Sequence, residues 1–306
     1  MSNSSINYNV VSTFSGTNST QEFRLSLTNT SPVMTSAYTA ADTIYLVPYV
    51  GKRISLYLSS GVWEIFESTG QVLSLSGTLA NTNYDIFAYA DSGTVLLERL
   101  SWSVSTAGNS TRSSSLVYQD GILVKSGDPT RRYLGTIRTT GVAGQTEFSY
   151  GAIGTSNIEA KLYVWNYYNR VLYSARVSES TDSWTYGTST WRSANNNTAY
   201  RVSFICGLSE DRIQSSYGSY AITNAPSIGA GQAIGLNSTS VFSGLCAFTQ
   251  NTAGTPQGRY EGLCATGFNF VQALEICNPT GTATFYGDAG FPATYQLSAL
   301  HFSFMM

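Results

Sequence analysis

The sequence predicts an all-β protein in which an extended N-terminal arm precedes two β-sandwich domains of the jelly-roll or Ig-like type. Three observations lead to this prediction. Only 11% of the residues are charged, whereas Ser, Thr and Tyr are abundant, and Thr and Tyr suit a pleated, half-buried surface. Gly, Asn, Asp or Ser break the apolar runs about every 8 to 12 residues, which is typical of sandwiches and barrels. The length of 306 residues suits about two domains.

The arm is assigned to residues 1–40, the first domain to 41–155 and the second to 156–306. Within the arm, the segment Glu22 to Thr28 alternates between polar and apolar residues, which predicts a half-buried strand with Arg24 facing solvent. The preceding residues have little to bury. They form either an arm that packs on a partner or a disordered leader, and the sequence leaves both open.

The first domain shows strand-like runs at regular intervals. Asp120-Gly121 lies between two apolar runs and predicts a hairpin over 116–127. Pro48 places the first run at a sheet edge or a strand end, because proline donates no backbone hydrogen bond. The other predicted strands are 42–49, 53–58, 62–66, 71–77, 84–90, 94–104 and 131–139.

The second domain continues this pattern to an apolar end. A hairpin is expected over 183–191, and strands over 161–177, 200–209, 216–223, 233–238, 241–249, 267–277, 283–288 and 295–306. A chain end is usually polar and frayed, so apolar residues there indicate burial in this chain's own core or in a neighbouring subunit. On the second alternative the segment is a candidate interface, formed by Leu300, Phe302, Phe304, Met305 and Met306.

Composition argues against a nucleic-acid or membrane protein. The formal net charge is −2 and the pI is about 5.4, whereas nucleic-acid binding needs a basic stripe. The nearest basic cluster, Arg131, Arg132 and Arg138, is interpreted as solvated or ion-paired loop arginines rather than as a phosphate site. No apolar run approaches the roughly 20 residues of a membrane span. The start lacks the features of a secretion signal, so we expect synthesis in the cytoplasm.

No catalytic, cofactor-binding or metal-ligating residue is assigned. The chain has one histidine, His301, in the terminal apolar segment, where a packed or surface role is expected rather than that of a catalytic base. The sequence contains no phosphate-binding, dinucleotide or zinc-protease motif. None of the cysteines has CxxC spacing, and buried free thiols are favoured over disulfides for Cys206, Cys246, Cys264 and Cys277.

Two weaker signals remain. Paired carboxylates can cleave a glycosidic bond, and the candidates are Glu64 with Glu67, and a looser set of Asp85, Asp91 and Glu98. Aromatic rings with a polar edge suit sugars and protein interfaces alike. We favour the interpretation that these aromatic residues lie alternately in the core and on the strand surface. The candidates are Trp165, Tyr167, Tyr168, Trp184, Tyr186 and Trp191.

Several segments together resemble a known family. They read YLVPYVGKRISLY (Tyr45 to Tyr57), NYDIFAYADSGTVLLE (Asn83 to Glu98), QDGILVKSGDPTRRYLGTIRTTG (Gln119 to Gly141) and VWNYYNRV (Val164 to Val171). These phrases are similar to those of β-rich virion proteins of tailed bacteriophages, and the resemblance covers about two thirds of the chain. Residues 209–259 and the N-terminal arm match least well.

The resemblance implies a non-enzymatic structural protein located in the virion. It favours a capsid decoration, or cement, protein that stabilises the head shell by contact with the major capsid protein. The alternative is a receptor-binding tail or head fibre that recognises host surface glycan, and a third hypothesis is a glycan-cleaving tailspike. A homotrimer is expected, since phage ornaments and fibre heads are commonly trimers and oligomers are usually closed and symmetric.

Overall fold

The computed structural model describes residues 19–104, 110–151, 158–249, 252–278, 280–288 and 298–306. Within these ranges the regular structure consists of 28 β-strands and one short 3-10 turn, Ala194–Asn196. The all-β prediction is therefore confirmed.

The strands before residue 155 are β1 (Phe23–Ser26), β2 (Tyr38–Ala41), β3 (Thr43–Pro48), β4 (Arg53–Tyr57), β5 (Trp63–Glu67), β6 (Gln71–Ser74), β7 (Asn83–Asp91), β8 (Thr94–Val104), β9 (Ser110–Arg112), β10 (Leu116–Gln119), β11 (Ile122–Lys125), β12 (Asp128–Arg138) and β13 (Thr146–Ser149).

The strands after it are β14 (Ala160–Leu162), β15 (Val164–Asn166), β16 (Leu172–Ser178), β17 (Ser183–Tyr186), β18 (Arg192–Ser193), β19 (Arg201–Cys206), β20 (Arg212–Gly218), β21 (Ala221–Thr223), β22 (Ala230–Leu236), β23 (Ser243–Phe248), β24 (Ala253–Gly254), β25 (Gln257–Leu263), β26 (Gly267–Cys277), β27 (Ala283–Tyr286) and β28 (Ala299–Met305).

The first half is built from one large sheet and two small ones. The large sheet has the order β10-β11-β12-β7-β8-β9, and β15 also pairs with β12. Strands β1, β3 and β6 form a three-stranded sheet, and β4 pairs with β5. Pro48 is the last residue of β3, where a missing backbone donor removes no interior ladder bond.

A single twelve-stranded sheet dominates the second half. Its order is β16-β28-β20-β25-β23-β22-β26-β19-β14-β13-β2, with β18 on β26, and a separate sheet has the order β17-β27-β21-β24. This sheet includes β2 and β13, which precede residue 155 in the sequence. Conversely, β15 follows residue 155 but pairs with β12 of the first large sheet. The domain division at residue 155 stays a prediction, and backbone pairing crosses it both ways.

One of the two predicted hairpins is confirmed and the other is wrong. Gln119 pairs with Ile122, and the turn residues Asp120 and Gly121 both have positive φ, as the two-residue hairpin turn requires. The hairpin expected over 183–191 does not form, because β17 pairs with β27 instead. A partner about a hundred residues away gives no local signal in the sequence.

Arg24 corrects the expected orientation of the first strand. All four residues of β1 are buried, and Arg24 is 0% exposed rather than facing solvent. Its guanidinium donates to the carbonyl oxygens of Pro32 and Met306, each at 3.0 Å, and to that of Asn169. These bonds fix β1 to the loop that precedes β16 and to the end of β28.

The three arginines of the predicted basic cluster lie on β12 rather than in a loop. Arg131 is ion-paired with Glu98 at 2.6 Å, which agrees with the interpretation of this cluster as ion-paired arginines. Arg132 is fully buried, and it donates to the carbonyl oxygens of Thr20 and Ser55. Arg138 lies 4.1 Å from the ring centre of Phe268. The cluster is therefore divided among separate structural contacts.

Candidate functional site

A cleft of about 840 Å³, whose lining includes several polar side chains, lies against the outer face of four adjacent strands of the large sheet. The strands occur in the order β16-β28-β20-β25. Successive side chains of a strand point to opposite faces, so β16, β20 and β28 each contribute one buried row to the core and one row to the cleft. In β25 the inward positions are Gly258, Tyr260 and Gly262, of which only Gly258 is buried. Outside these strands, Tyr150, Gly151, Gly244 and Leu245 also line the cleft.

The terminal strand β28 shows this division most clearly. Its inward side chains Leu300, Phe302 and Phe304, and that of the following Met306, are no more than 2% exposed. His301 and Ser303 line the cleft on the opposite face. Within the core, the ring centre of Phe204 lies 4.7 Å from that of Phe302 and 5.5 Å from that of Phe304.

This placement bears on the five residues predicted as an interface. The four inward side chains pack within their own chain, and Met305 is partly exposed. The strand pairs with β16 on one side and β20 on the other, so the intrachain alternative describes the segment in this structure. A contact between subunits through these residues stays a prediction.

The register aligns the cleft side chains in two rows across the sheet. Directly opposed residues in neighbouring strands have Cβ atoms about 5 Å apart. The first row consists of Arg176, His301, Ser216 and Arg259, and the second of Ser174, Ser303, Gln214 and Glu261. In each row, every one of the four strands therefore contributes one polar side chain, and this side chain lies beside the polar side chain of the adjacent strand.

The electrostatic character of the cleft is cationic with one acid. Arg176 and Arg259 line it, and Glu261 is the one carboxylate among its described lining residues. Burial and the neighbouring Arg176 lower the pKa of His301, so the imidazole is neutral at pH 7. The Nε atom of Arg176 is buried and has no hydrogen-bond partner among the described residues.

The chemistry available in the cleft is binding through hydrogen bonds and charge. Serine hydroxyls donate and accept, the Gln214 amide does both, and each guanidinium donates up to five hydrogen bonds in a planar fork. Glycoside hydrolysis uses a pair of carboxylates flanking one bond, and the described lining supplies Glu261 without a second one. The arrangement fits a hydroxylated, polar ligand.

The acid pairs considered from the sequence lie elsewhere. Glu64 and Glu67 are three residues apart on β5 and so point to opposite faces. Asp85 is buried and ion-paired with Arg112 at 2.7 Å, and burial raises the pKa of its carboxyl. Glu98 pairs with Arg131, and Asp91 is exposed at the end of β7. None of these acids lines the cleft.

The aromatic candidates also lie outside the cleft lining. Trp165 is fully buried, and the buried Trp184 donates from its indole to Glu275 at 2.7 Å. Tyr167 and Tyr168 are partly buried and in edge-to-face contact, and the ring of Tyr186 lies 3.8 Å from the guanidinium carbon of Arg192. Trp191 is partly exposed against Phe242. The aromatic residues among the cleft lining are instead Tyr150, Tyr260 and Phe302.

The described part of the structure also bears on the cysteines, possible metal ligands and possible membrane spans. All four cysteines are free thiols, and Cys206, Cys264 and Cys277 are buried while Cys246 is half-buried. The described residues contain no cluster of three or more His, Cys, Asp or Glu that could hold a metal ion. Across the same residues, no helix has the length and apolar character needed to cross a membrane.

Sequence reasoning missed the cleft residues Arg176, Gln214, Ser216 and Arg259. The alternation in the terminal segment indicates that His301 shares a face with Ser303. It does not indicate which strands lie beside that face, because the four strands come from positions 172–178, 212–218, 257–263 and 299–305.

Comparison with known proteins identifies no family. No protein-family model matches the chain, and no curated protein does. Among solved structures, dimeric latent PorU from Porphyromonas gingivalis aligns at 9% identity with a TM-score of 0.28, covering 76% of this chain and 20% of that one. The structure of infectious bursal disease virus, Gx strain, aligns at 13% identity and TM-score 0.25, with coverages of 88% and 74%.

A β-porphyranase of glycoside hydrolase family 86 from the human gut bacterium Bacteroides plebeius aligns at 8% identity and TM-score 0.23. The alignment covers 89% of this chain and 37% of the enzyme. The chain thus spans a fifth to about a third of the length of two of these structures. TM-scores this low assign neither a fold family nor a function.

Proposed function

We propose that this chain is a non-enzymatic structural protein of a bacteriophage virion that binds host surface glycan through the cleft of strands β16, β28, β20 and β25. The virion assignment is supported by the sequence resemblance. The binding role is supported by one observation, the two polar rows that cross four adjacent strands on the outer side of the sheet.

A saccharide suits this face because its hydroxyl groups both donate and accept hydrogen bonds. The neutral side chains of the rows offer the complementary groups at the spacing of neighbouring strands, about 4.8 Å. The aromatic ring of Tyr150 and the exposed Leu245 border the cleft and offer apolar contact to the faces of sugar rings. The volume of about 840 Å³ lies within the usual range for ligand sites, roughly 300–1,000 Å³.

The proposal is tested by filling the cleft. Ser216 lies at its centre, and Ser216→Trp places a bulky ring over both rows. Ser183→Trp makes the same change at an exposed position of β17, outside the cleft. Binding of purified protein to an array of bacterial surface polysaccharides should be lost in S216W and retained in S183W, with equal melting temperatures. Equal binding by both variants, or no binding by the unmodified chain, contradicts the proposal.

Capsid decoration is the second candidate, and a separate surface favours it. The rings of Phe242 and Phe248 are 41% and 44% exposed, and both pack against Trp191, with ring centres at 5.3 and 6.3 Å. Val241 beside them is 64% exposed. A contiguous exposed apolar patch of this kind marks a contact with another protein, and a head shell or a second copy of the chain would cover it.

Copy number separates the two roles. Quantitative mass spectrometry of purified virions should find a decoration protein in a fixed ratio to the major capsid protein, and a receptor-binding tail protein in the low number set by the tail. The expected homotrimer is tested separately by sedimentation, since a closed symmetric ring gives a defined mass.

The two β-sandwich domains remain part of the proposal. Support comes from the pairing pattern. Strands β7 to β12 pair among themselves apart from the contact of β12 with β15, and β19 to β28 pair among themselves apart from their contacts with β14, β16, β17 and β18. The jelly-roll or Ig-like topology of each half is likewise part of the proposal.

A further inference from the structure

We propose that the cleft recognises a carboxylate-bearing saccharide, such as a uronic or sialic acid polymer, with Arg176 and Arg259 holding the carboxylate groups on either side of His301. This inference rests on the proposed glycan-binding function and adds the chemical class of the ligand. It follows from the unused donors of the arginines on this face.

Most arginines of the chain are held by oxygen atoms from elsewhere in the fold. Six are ion-paired with carboxylates, namely Arg53, Arg112, Arg131, Arg170, Arg192 and Arg201. Four others donate to backbone or amide carbonyl oxygens of other segments, namely Arg24, Arg99, Arg132 and Arg138.

The three that remain all lie on the cleft side of the same sheet. Arg176 and Arg212 have no side-chain acceptor among the described residues, and Arg259 donates only to the Gln257 side chain of its own strand at 2.9 Å. Alternation along each strand places Arg176 on the outer face of β16, Arg212 on that of β20 and Arg259 on that of β25. Guanidinium groups without a carboxylate or carbonyl partner from another segment, among the described residues, are thus concentrated on one surface of a chain whose net charge is −2.

Arg176 gives the strongest indication that a ligand belongs here. Its Nε atom is buried and has no partner among the described residues, and a buried polar group without a partner is costly. A carboxylate in the cleft supplies an acceptor that this guanidinium lacks among the described residues, since a guanidinium and a carboxylate form two parallel hydrogen bonds. The neutral imidazole of His301, directly opposite on β28, adds one further donor without adding charge.

The spacing favours a chain of sugars over a single acid. Arg176 and Arg259 are separated by three strand intervals, which is about 15 Å between Cα atoms. His301 and Ser216 lie between them in the row. The neutral second row is positioned for sugar hydroxyls, and Glu261 in that row accepts from a hydroxyl. Because Glu261 repels dense negative charge, a singly charged carboxylate suits the face better than a phosphate or a heavily sulfated sugar.

The test compares acidic sugars with neutral versions of themselves. The probes are oligogalacturonate, hyaluronan fragments and sialic acid oligomers, each paired with its carboxyl-reduced counterpart, together with dextran and dextran sulfate. Isothermal titration of the full chain should show at least one carboxylated probe binding roughly tenfold or more tightly than its reduced form, because charge-assisted hydrogen bonds are lost on reduction.

The variants Arg176→Met and Arg259→Met should each reduce this preference roughly tenfold. Arg53→Met is the matched control, since Arg53 is exposed and pairs with Glu22 away from the cleft, and its binding should be unchanged. Arg259 is exposed, so R259M keeps the test valid if R176M does not fold.

The outcomes separate this inference from the function on which it rests. Equal binding of carboxylated and reduced probes, tighter binding of dextran sulfate, or unchanged binding by both cleft variants overturns the carboxylate assignment while glycan binding stands. Failure to bind any of these sugars, acidic or neutral, overturns the carboxylate assignment, and the polysaccharide array then decides the proposed function.

Discussion

The substitution Phe304→Ala tests whether the apolar end of the chain stabilises its own fold. Phe304 is 1% exposed, and β28 is paired on both sides. Its ring packs against Phe204 and Phe302, with ring centres at 5.5 and 6.3 Å. Removing a phenyl ring from a close-packed core costs the transfer free energy of the ring and leaves a cavity.

The expected loss is about 3–5 kcal/mol in the free energy of unfolding. A loss of this size lowers the melting temperature of a chain of this length by roughly 5–8 °C. Ser303→Ala is the matched control, because the neighbouring side chain faces the cleft and surface changes of this kind usually stay within about 0.5 kcal/mol.

Thermal unfolding followed by circular dichroism, at a low and a high protein concentration, measures the effect. If Phe304 belongs to its own core, F304A melts lower than the unmodified chain by the same amount at both concentrations. A melting temperature of the unmodified chain that rises with concentration, combined with loss of that rise in F304A, would instead show a contact between subunits. No change in melting temperature would refute both interpretations.

Two further predictions concern buried positions. Burial raises the pKa of Glu275 to about 6 from 4.5, so the folded chain binds this proton more tightly than the unfolded one. The stability of the unmodified chain relative to Glu275→Gln should therefore fall by about 2 kcal/mol as the pH rises from below 4.5 to above 6. Denaturant titrations at pH 4 and pH 7 measure this, and a constant difference contradicts it. Gly135→Ala places a Cβ 2.2 Å from the Trp165 carbonyl oxygen and should cost about 1–3 kcal/mol or more. Gly141→Ala, whose Cβ meets only one atom at 4.0 Å, should leave the same denaturation midpoint nearly unchanged, and equal midpoints for the two variants would disprove the steric argument.

Much of the local structure follows from the sequence. Alternation and turn residues determine strand positions because they act within a few residues of each other. The predicted run 94–104 coincides with β8, and the predicted run 267–277 coincides with β26. The Asp120-Gly121 turn is set by the positive φ of its two residues, which is a local property of those residue types.

Burial of charged groups was not predictable in the same way. Alternation placed Arg24 toward solvent, whereas the structure buries it beneath carbonyl oxygens that come from positions 32, 169 and 306. A guanidinium is buried only where acceptors converge on it, and here they converge from three separate parts of the chain. The hairpin expected over 183–191 failed for a related reason, since β17 has a distant partner in β27.

By itself, the sequence determined the β class, most strand positions, the tight turn at Asp120 and the apolar character of the terminal strand. Only the tertiary structure decided the order of strands, and therefore the neighbours of His301. Strand pairing depends on backbone hydrogen bonds that are alike for every residue type, so a local pattern cannot specify which strands meet. The cleft of Arg176, His301 and Arg259 exists because β16, β28, β20 and β25 are adjacent, and no one of these segments carries that information.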